Sequence, residues 1–258
     1  PWFTRGQTSS SVGEITLRFA FEIEEMPVAP IELALERPDR FEVSINGKTL
    51  VIDSDAPRWI DIAFHRVLLP MDTLSTGRND IVLKTAFHGG VDLEALYLLG
   101  PFGVRVDGAR RILTSLPTRL EAGDVTTQGL PFYSGSIGYR LDPLPKPEPG
   151  QRIGLRLPRV AGACTRISSP GFDTRHILWE PREADVTDMA DSQTAITVEV
   201  VLTRRNTFGP LHQKPLHASA YGPPNFTTTG ERFTESYMLH PAGLLENPII
   251  LIQGQTTN

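Results

Sequence analysis

The chain has 258 residues, of which 40% are hydrophobic, and a formal net charge of -5. This length suits one large domain or two of ordinary size. The mildly acidic balance lacks the basic surface of a nucleic-acid-binding protein or of a peripheral membrane protein, and no apolar run approaches the roughly 20 residues of a membrane span. We therefore expect neither nucleic acid nor membrane as a partner.

The start of the sequence, Pro1 to Arg5, lacks the charged and apolar segments of a signal peptide. The missing initiator Met suggests a processed chain or a piece of a longer one. The sequence indicates no compartment.

Short strands separated by turns dominate the first half. Apolar and polar residues alternate over 15–23, which predicts a strand with one buried face. The same pattern returns at 31–36 and 41–45. The third run ends at Asn46-Gly47, which predicts a tight hairpin because both residues tolerate positive φ.

The second half shows the same alternation, for example over 136–141, 153–157 and 196–202. No window of a dozen residues has sustained helical periodicity. Many short strands with turn residues between them are typical of a sandwich or a barrel, so we predict an all-β protein.

The order of signals in the first half recurs in the second. Trp59 follows a strand and a turn and precedes Ile60-Asp61-Ile62, and Trp179 likewise precedes Ala184-Asp185-Val186. Such repetition indicates tandem copies of one structural unit. We predict two tandem antiparallel β-sandwiches, residues 1–127 and 128–258, with the boundary in the polar stretch 121–128.

These signals resemble the galactose-binding-like jelly roll, the sugar-binding domain of glycoside hydrolase family two and of many multidomain bacterial glycosidases. The residues that carry the resemblance are Val43, Asn46, Gly47, Trp59, Asp61, Gly77, Asn79 and Ile81 in the first half and Trp179, Pro181, Asp185, Val186 and Thr187 in the second. The run 202–212 resembles a segment from the C-terminal regions of large bacterial glycosidases, including rhamnosidase-like proteins. The second half departs from the pattern at Ser169-Pro170-Gly171, where the family has Asn-Gly.

The resemblance implies a non-catalytic accessory region of a bacterial glycoside hydrolase. Its partners would be the catalytic domain of the same parent chain and carbohydrate, and this reading predicts a large apolar patch on one face. Two alternatives stay open. A free-standing carbohydrate-binding protein predicts a groove lined by exposed aromatic side chains. A complete small hydrolase predicts two convergent carboxylates with shifted pKa values in a cleft.

The candidate carbohydrate-binding residues are an exposed tryptophan and a polar cluster: Trp179, Arg204, Arg205, Asn206 and His212. Guanidinium and amide groups can grip sugar hydroxyls through paired donors. The same groups could instead bond backbone carbonyls and tie the C-terminal segment to the sandwich. Tryptophan at the repeated position is expected to face the core, with Trp179 the better candidate for partial exposure.

The candidate catalytic carboxylates are Asp92, Glu94, Glu180, Asp185 and Asp188. None stands in a motif specific for catalysis, so we predict no catalytic residue in this chain. The histidine spacing predicts no metal site, and we expect no cofactor. A structural Ca²⁺ held by backbone carbonyls would leave no sequence signal.

Overall fold

The computed structural model describes residues 12–53, 55–91, 93–215 and 222–254. The protein is all-β, as the alternation predicted, and it separates into two compact units, Pro1–Pro117 and Thr118–Asn258. The described part of unit 2 contains two short helices, α1 (Thr187–Asp191) and α2 (Arg205–Phe208). The described 3-10 helices are Pro38–Arg40, Met71–Thr73, Val125–Thr127 and Pro223–Asn225. No described helix is long and apolar enough to cross a membrane.

Unit 1 is built from two sheets. Its described strands are β1 (Gly13–Ile23), β2 (Ile31–Glu36), β3 (Glu42–Ile45), β4 (Lys48–Thr49), β5 (Arg58–Trp59), β6 (Asp61–Leu69), β7 (Gly77–Phe87), β8 (Tyr97–Leu99), β9 (Gly103–Asp107) and β10 (Arg110–Thr114). One sheet has the order β4-β3-β7-β1-β10-β9 and the other β5-β6-β2-β8. All neighbours are antiparallel except β1 and β10.

The core of unit 1 lies between these sheets. Leu33 of β2 points inward from one sheet, and Ile45 of β3 and Ile81 of β7 point inward from the other. All three are completely buried. Each such aliphatic side chain contributes about 1.5–3 kcal/mol when it leaves water, so the inward rows of both sheets hold the sandwich together.

The predicted hairpin at Asn46-Gly47 is confirmed, with Ile45 paired to Lys48. Asn46 and Gly47 have φ values of 48° and 82°. The Asn46 amide donates to Thr73 O (2.8 Å) and to Asn79 Oδ1 (2.8 Å). Asn79 is fully buried, and its amide donates to Ser75 O at 2.7 Å. Two asparagines of the resemblance motif are therefore occupied with closing the turns of the sandwich.

Unit 2 contains a smaller sandwich. Its described strands are β11 (Ser136–Leu141), β12 (Arg152–Arg156), β13 (Val160–Ala161), β14 (Cys164–Ser168), β15 (Arg175–Ile177), β16 (Glu183–Asp185), β17 (Ile196–Val201), β18 (Gly243–Leu244) and β19 (Ile249–Gln253). The sheets have the orders β11-β17-β14-β15 and β16-β12-β19, and β13 pairs with β18. Ile153, Leu155, Ile167 and Val198 lie in the shared core, and Met189 of α1 closes it.

The two units share one strand order. The order β4-β3-β7-β1 in unit 1 corresponds to β15-β14-β17-β11 in unit 2, and β6-β2-β8 corresponds to β16-β12-β19. The strands also follow each other along the chain in the same sequence. The repeated order of sequence signals thus reflects a repeated topology. Unit 1 alone adds β9 and β10 beside β1.

The turn that departs from the family pattern is closed by hydroxyl groups. Ser169 Oγ lies 2.5 Å from Thr194 Oγ1 and 3.2 Å from Ala195 O. Gly171 supplies the positive φ of 85° that this turn requires. In unit 2 these hydroxyls stand near the position where unit 1 has its asparagine pair.

The segment 118–127, which the sequence interpretation grouped with the first sandwich, contacts the core of unit 2. Val125 is completely buried in that core. The Gly123 N–H donates to Leu244 O (2.8 Å), and the Val125 N–H donates to Ala242 O (3.0 Å). Burial and backbone bonding therefore hold this segment against unit 2.

Replacing Asn79 by Ala should destabilise unit 1 by about 1–3 kcal/mol, because the completely buried amide of Asn79 makes the hydrogen bonds that join Asn46, Ser75 and Gly77. Thermal and urea denaturation of the two variants Asn79→Ala and Asn247→Ala would measure this. Asn247 is exposed, and its replacement should leave stability nearly unchanged. Equal stability of both variants would contradict the role assigned to Asn79.

Candidate functional site

Trp179 lies in the link between β15 and β16 and is 73% exposed. Leu178 beside it is also exposed. Two contacts of Arg182 hold this link, since Arg182 Nη1 donates to Val160 O (2.5 Å) and Arg182 Nε pairs with Glu180 Oε1 (3.2 Å). A fixed backbone therefore presents a large aromatic ring to solvent.

Trp59, at the corresponding position of unit 1, is in a different environment. Its ring centroid lies 5.2 Å from that of Tyr97 and 5.7 Å from that of Phe64. Tyr97 and Phe64 contact each other edge to face at 5.4 Å. Burial raises the pKa of the Tyr97 hydroxyl to about 12. The trio forms a second small apolar cluster in unit 1.

This cluster lies on the outer face of its sheet. Ala34 pairs with Tyr97 on one side and Arg66 on the other, and it points away from the core that Leu33 and Leu35 enter. It is nevertheless completely buried, on the sheet face that also carries Tyr97 and Phe64. The expectation that Trp59 faces the core is wrong, because Trp59 packs against Phe64 and Tyr97 on the face of the sheet opposite the core.

The outer face of unit 2 has no such cover at the corresponding positions. Gly154 takes the place of Ala34 and pairs with Leu251 of β19, which takes the place of Tyr97. Glu183 takes the place of Phe64 and accepts a hydrogen bond from Arg156 Nε at 2.5 Å. With Leu251 and Glu183 in place of rings, Trp179 remains in water.

The predicted polar cluster begins at the short helix α2. Arg204 is exposed, and Arg205 Nη2 donates to Pro210 O (3.1 Å). Asn206 is buried, and its amide exchanges two hydrogen bonds with the His240 backbone: Nδ2 donates to His240 O (2.8 Å), and the His240 N–H donates to Oδ1 (2.9 Å). The donors of Asn206 are therefore occupied by backbone groups of the C-terminal segment.

His212 lies among aromatic rings of the same segment. Its ring centroid is 4.6 Å from that of Tyr237 and 6.2 Å from that of Phe233. His212 Nδ1 donates to Thr234 O at 3.1 Å, since a carbonyl oxygen can only accept a hydrogen bond. The structure brings Asn206 and His212 to one segment, 233–240, and Trp179 lies in a different link of the unit.

The carboxylates considered for catalysis are dispersed or ion-paired. Asp92 lies outside the described residues, Glu94 is exposed in unit 1, and Glu180 pairs with Arg182. Asp185 and Asp188 line an open cleft of about 910 Å³ in unit 2. The other residues of its lining are Lys146, Pro147, Glu148, Pro149, Gln151, Arg175, Thr187 and Asp191.

The surroundings of Asp185 and Asp188 oppose a role of these two carboxyls as a general acid. Hydrogen bonds from Arg175 to both oxygens of Asp188, at 2.6 and 2.7 Å, lower the pKa of that carboxyl. Hydrogen bonds from the Thr187 hydroxyl and N–H lower the pKa of Asp185. A glycosidase acid must keep its proton near neutral pH, and both groups are held in the ionised form.

No cluster of three or more His, Cys, Asp or Glu side chains that could hold a metal ion occurs within the described ranges. The sequence interpretation missed the aromatic trio of unit 1. Its signal was present, since Ile62 and Phe64 occupy alternate positions in β6 that a solvent-facing row would fill with polar residues.

No protein-family model matches the sequence, and no curated protein matches it. Solved structures with some likeness include a rhamnosidase from Novosphingobium sp. PP1Y, at 15% identity over 92% of this chain and 23% of that chain, with a TM-score of 0.34. Another is the α-L-rhamnosidase of Streptomyces avermitilis complexed with L-rhamnose, at 12% identity over 95% of this chain and 24% of that chain, with a TM-score of 0.29. The chain spans about a quarter of the length of these enzymes. TM-scores this low do not establish a common fold.

Replacing Asn206 by Ala should lower the stability of unit 2 by about 1–3 kcal/mol, because the partly buried N–H and C=O of His240 would lose their hydrogen bonds to the buried Asn206 amide. Differential scanning calorimetry would measure the loss. Arg204→Ala is the control, since Arg204 is exposed next to Asn206. A stable Asn206→Ala variant that has lost glycan binding would instead favour a ligand role.

Asp188 should make stability depend on acid pH. Its lowered pKa means that the ion pair with Arg175 stabilises the fold at neutral pH, and this contribution is lost as pH falls through and below about 3.8. The pair is half exposed, so the effect should stay below about 1 kcal/mol. Asp188→Asn should lower the melting temperature at pH 7 and should reduce the fall of the melting temperature in acid. Asp173→Asn is the control and should have neither effect, because Asp173 is exposed and makes no ion pair with the described residues.

Proposed function

We propose that this chain is a non-catalytic accessory region of a glycoside hydrolase, and that it contacts carbohydrate through Trp179. The observation that carries the proposal is the contrast between two tryptophans at corresponding positions. Trp59 packs between Phe64 and Tyr97, whereas Trp179 is 73% exposed. The sequence resemblance to sugar-binding jelly rolls supplies the ligand class.

An exposed indole suits a sugar ligand for a physical reason. Sugar rings have apolar C–H faces that can lie on an aromatic ring, while their hydroxyls seek polar partners at its rim. The chain neighbours of Trp179 supply such partners, since Glu180 and Arg182 form an ion pair close to it in sequence. An aromatic ring beside polar groups thus offers both kinds of contact that a sugar makes.

The accessory role agrees with the polar cleft of unit 2. Its carboxyls Asp185 and Asp188 have lowered pKa values, so they support binding or structure rather than proton donation. The catalytic residues would then belong to another part of the parent protein, and the jelly-roll-like sandwiches would support that domain and its substrate.

Trp179→Ala should weaken binding of a recognised glycan at least tenfold, or about 1.4 kcal/mol, without changing the melting temperature. A glycan array that includes L-rhamnose and D-galactose glycosides would identify ligands of the wild-type chain, and calorimetric titration would compare the variants.

Trp59→Ala provides the matched control. It removes an indole from the corresponding position, but it should destabilise unit 1 by about 1–3 kcal/mol, because two aromatic pairs are lost, and it should leave glycan binding intact. Retained binding by Trp179→Ala would contradict the proposed contact. Absence of any array signal from the wild-type chain would contradict carbohydrate contact altogether.

A further inference from the structure

Strand β19 is an open edge of the smaller sheet in unit 2. It pairs with β12 from Ile249 opposite Arg156 to Gln253 opposite Arg152. No other described strand lies beside it. Its outward backbone groups make no hydrogen bond with the described part of the chain.

The ladder shows which backbone groups face outward. The Val186 N–H donates to Ile153 O, and the Leu157 N–H donates to Arg182 O, both at 2.8 Å. Alternate residues of β12 therefore bond toward β16, and those between them bond toward β19. By the register, Ile249, Leu251 and Gln253 bond inward, and Ile250 and Ile252 direct their N–H and C=O groups away from the sheet.

The side chains of Ile250 and Ile252 lie on the same face of the sheet as the core residues of β12. Ile250 and Ile252 lie opposite Leu155 and Ile153, which are buried in the core. They are nevertheless 41% and 56% exposed. An added strand would supply both the missing backbone partners and the missing cover for these side chains.

β19 also lacks the features that normally protect an edge. Natural edge strands carry charges, proline or bulges that prevent pairing with another chain. Among the described edge strands of five or more residues, β9 carries Arg105 and Asp107, and β11 carries Arg140. β19 reads Ile-Ile-Leu-Ile-Gln, with no charge and high β-propensity.

We propose that β19 is a self-association edge, which pairs antiparallel with β19 of a second copy of the chain. A two-fold axis at Leu251 sets Ile250 of one copy opposite Ile252 of the other. Both residues of each pair have outward-facing groups, so four N–H···O=C bonds can form. The uncharged strand places no like charges opposite each other. Pro248, which has no N–H, disfavours a register centred on Ile250, because that register would pair Pro248 with Ile252.

A five-residue edge buries little area. Stable interfaces bury about 1,200–2,000 Å² in total, which a single strand pair does not reach. Association should therefore be weak, with a dissociation constant of roughly 10–500 μM.

The experiment measures the mass of the full chain by sedimentation equilibrium from about 10 to 500 μM. The wild type should show a reversible monomer–dimer equilibrium. The double variant Ile250→Lys, Ile252→Lys sets like charges opposite each other across the axis, and it should weaken association at least tenfold. The double variant Ile250→Glu, Ile252→Glu should behave in the same way. An equimolar mixture of the two should form a heterodimer, because lysines then face glutamates.

Leu178→Lys is the control, since it places a charge at another exposed apolar residue of unit 2 and should leave the dimer unchanged. Ile252→Pro is a second, uncharged test, because it removes an outward N–H without touching the bonds to β12. A wild type that stays monomeric at the highest concentration would overturn the proposal. So would a lysine variant that dimerises like the wild type, or a mixture that fails to form the heterodimer.

Discussion

Both units depend on the same constraint: a strand places alternate side chains on opposite faces, and only one face can enter the core. In unit 1 the inward rows of β2 and β7 meet through Leu33 and Ile81. In unit 2 the inward rows of β12 and β17 meet through Leu155 and Val198. The outer faces and the open edges are less constrained than these buried rows. Those positions are where the two units have diverged.

The repeated tryptophan illustrates this divergence. Unit 1 surrounds Trp59 with Phe64 and Tyr97 and so uses it to cover the back of its sheet. Unit 2 has Glu183 and Leu251 at the corresponding positions, and Trp179 is exposed. The same topology therefore holds a packed tryptophan in unit 1 and an exposed tryptophan in unit 2, which is why we propose ligand contact for unit 2.

The sequence predicted the parts of the fold that depend on local pattern. Alternation over 15–23 identified β1, and Asn46-Gly47 identified the hairpin, because neighbours in sequence determine both. The face taken by Trp59 could not be predicted, since rings from β6 and β8 decide it. The role of Asn206 depends on His240, which is 34 residues away in the chain. The open edge at β19 likewise becomes visible only when the strand order is known.

The pairing of β1 with β7 has a consequence for how unit 1 folds. Gly13 lies opposite Phe87, and Ile23 lies opposite Gly77. Strand β1 can therefore pair only after β7, which comes much later in the chain, has been synthesised. Closing loops of this length makes folding slow relative to helical proteins, roughly milliseconds to seconds. During synthesis Phe19, Phe21 and Ile23 would emerge without cover, and the nascent chain would depend on chaperones or rapid completion of β7 to avoid aggregation.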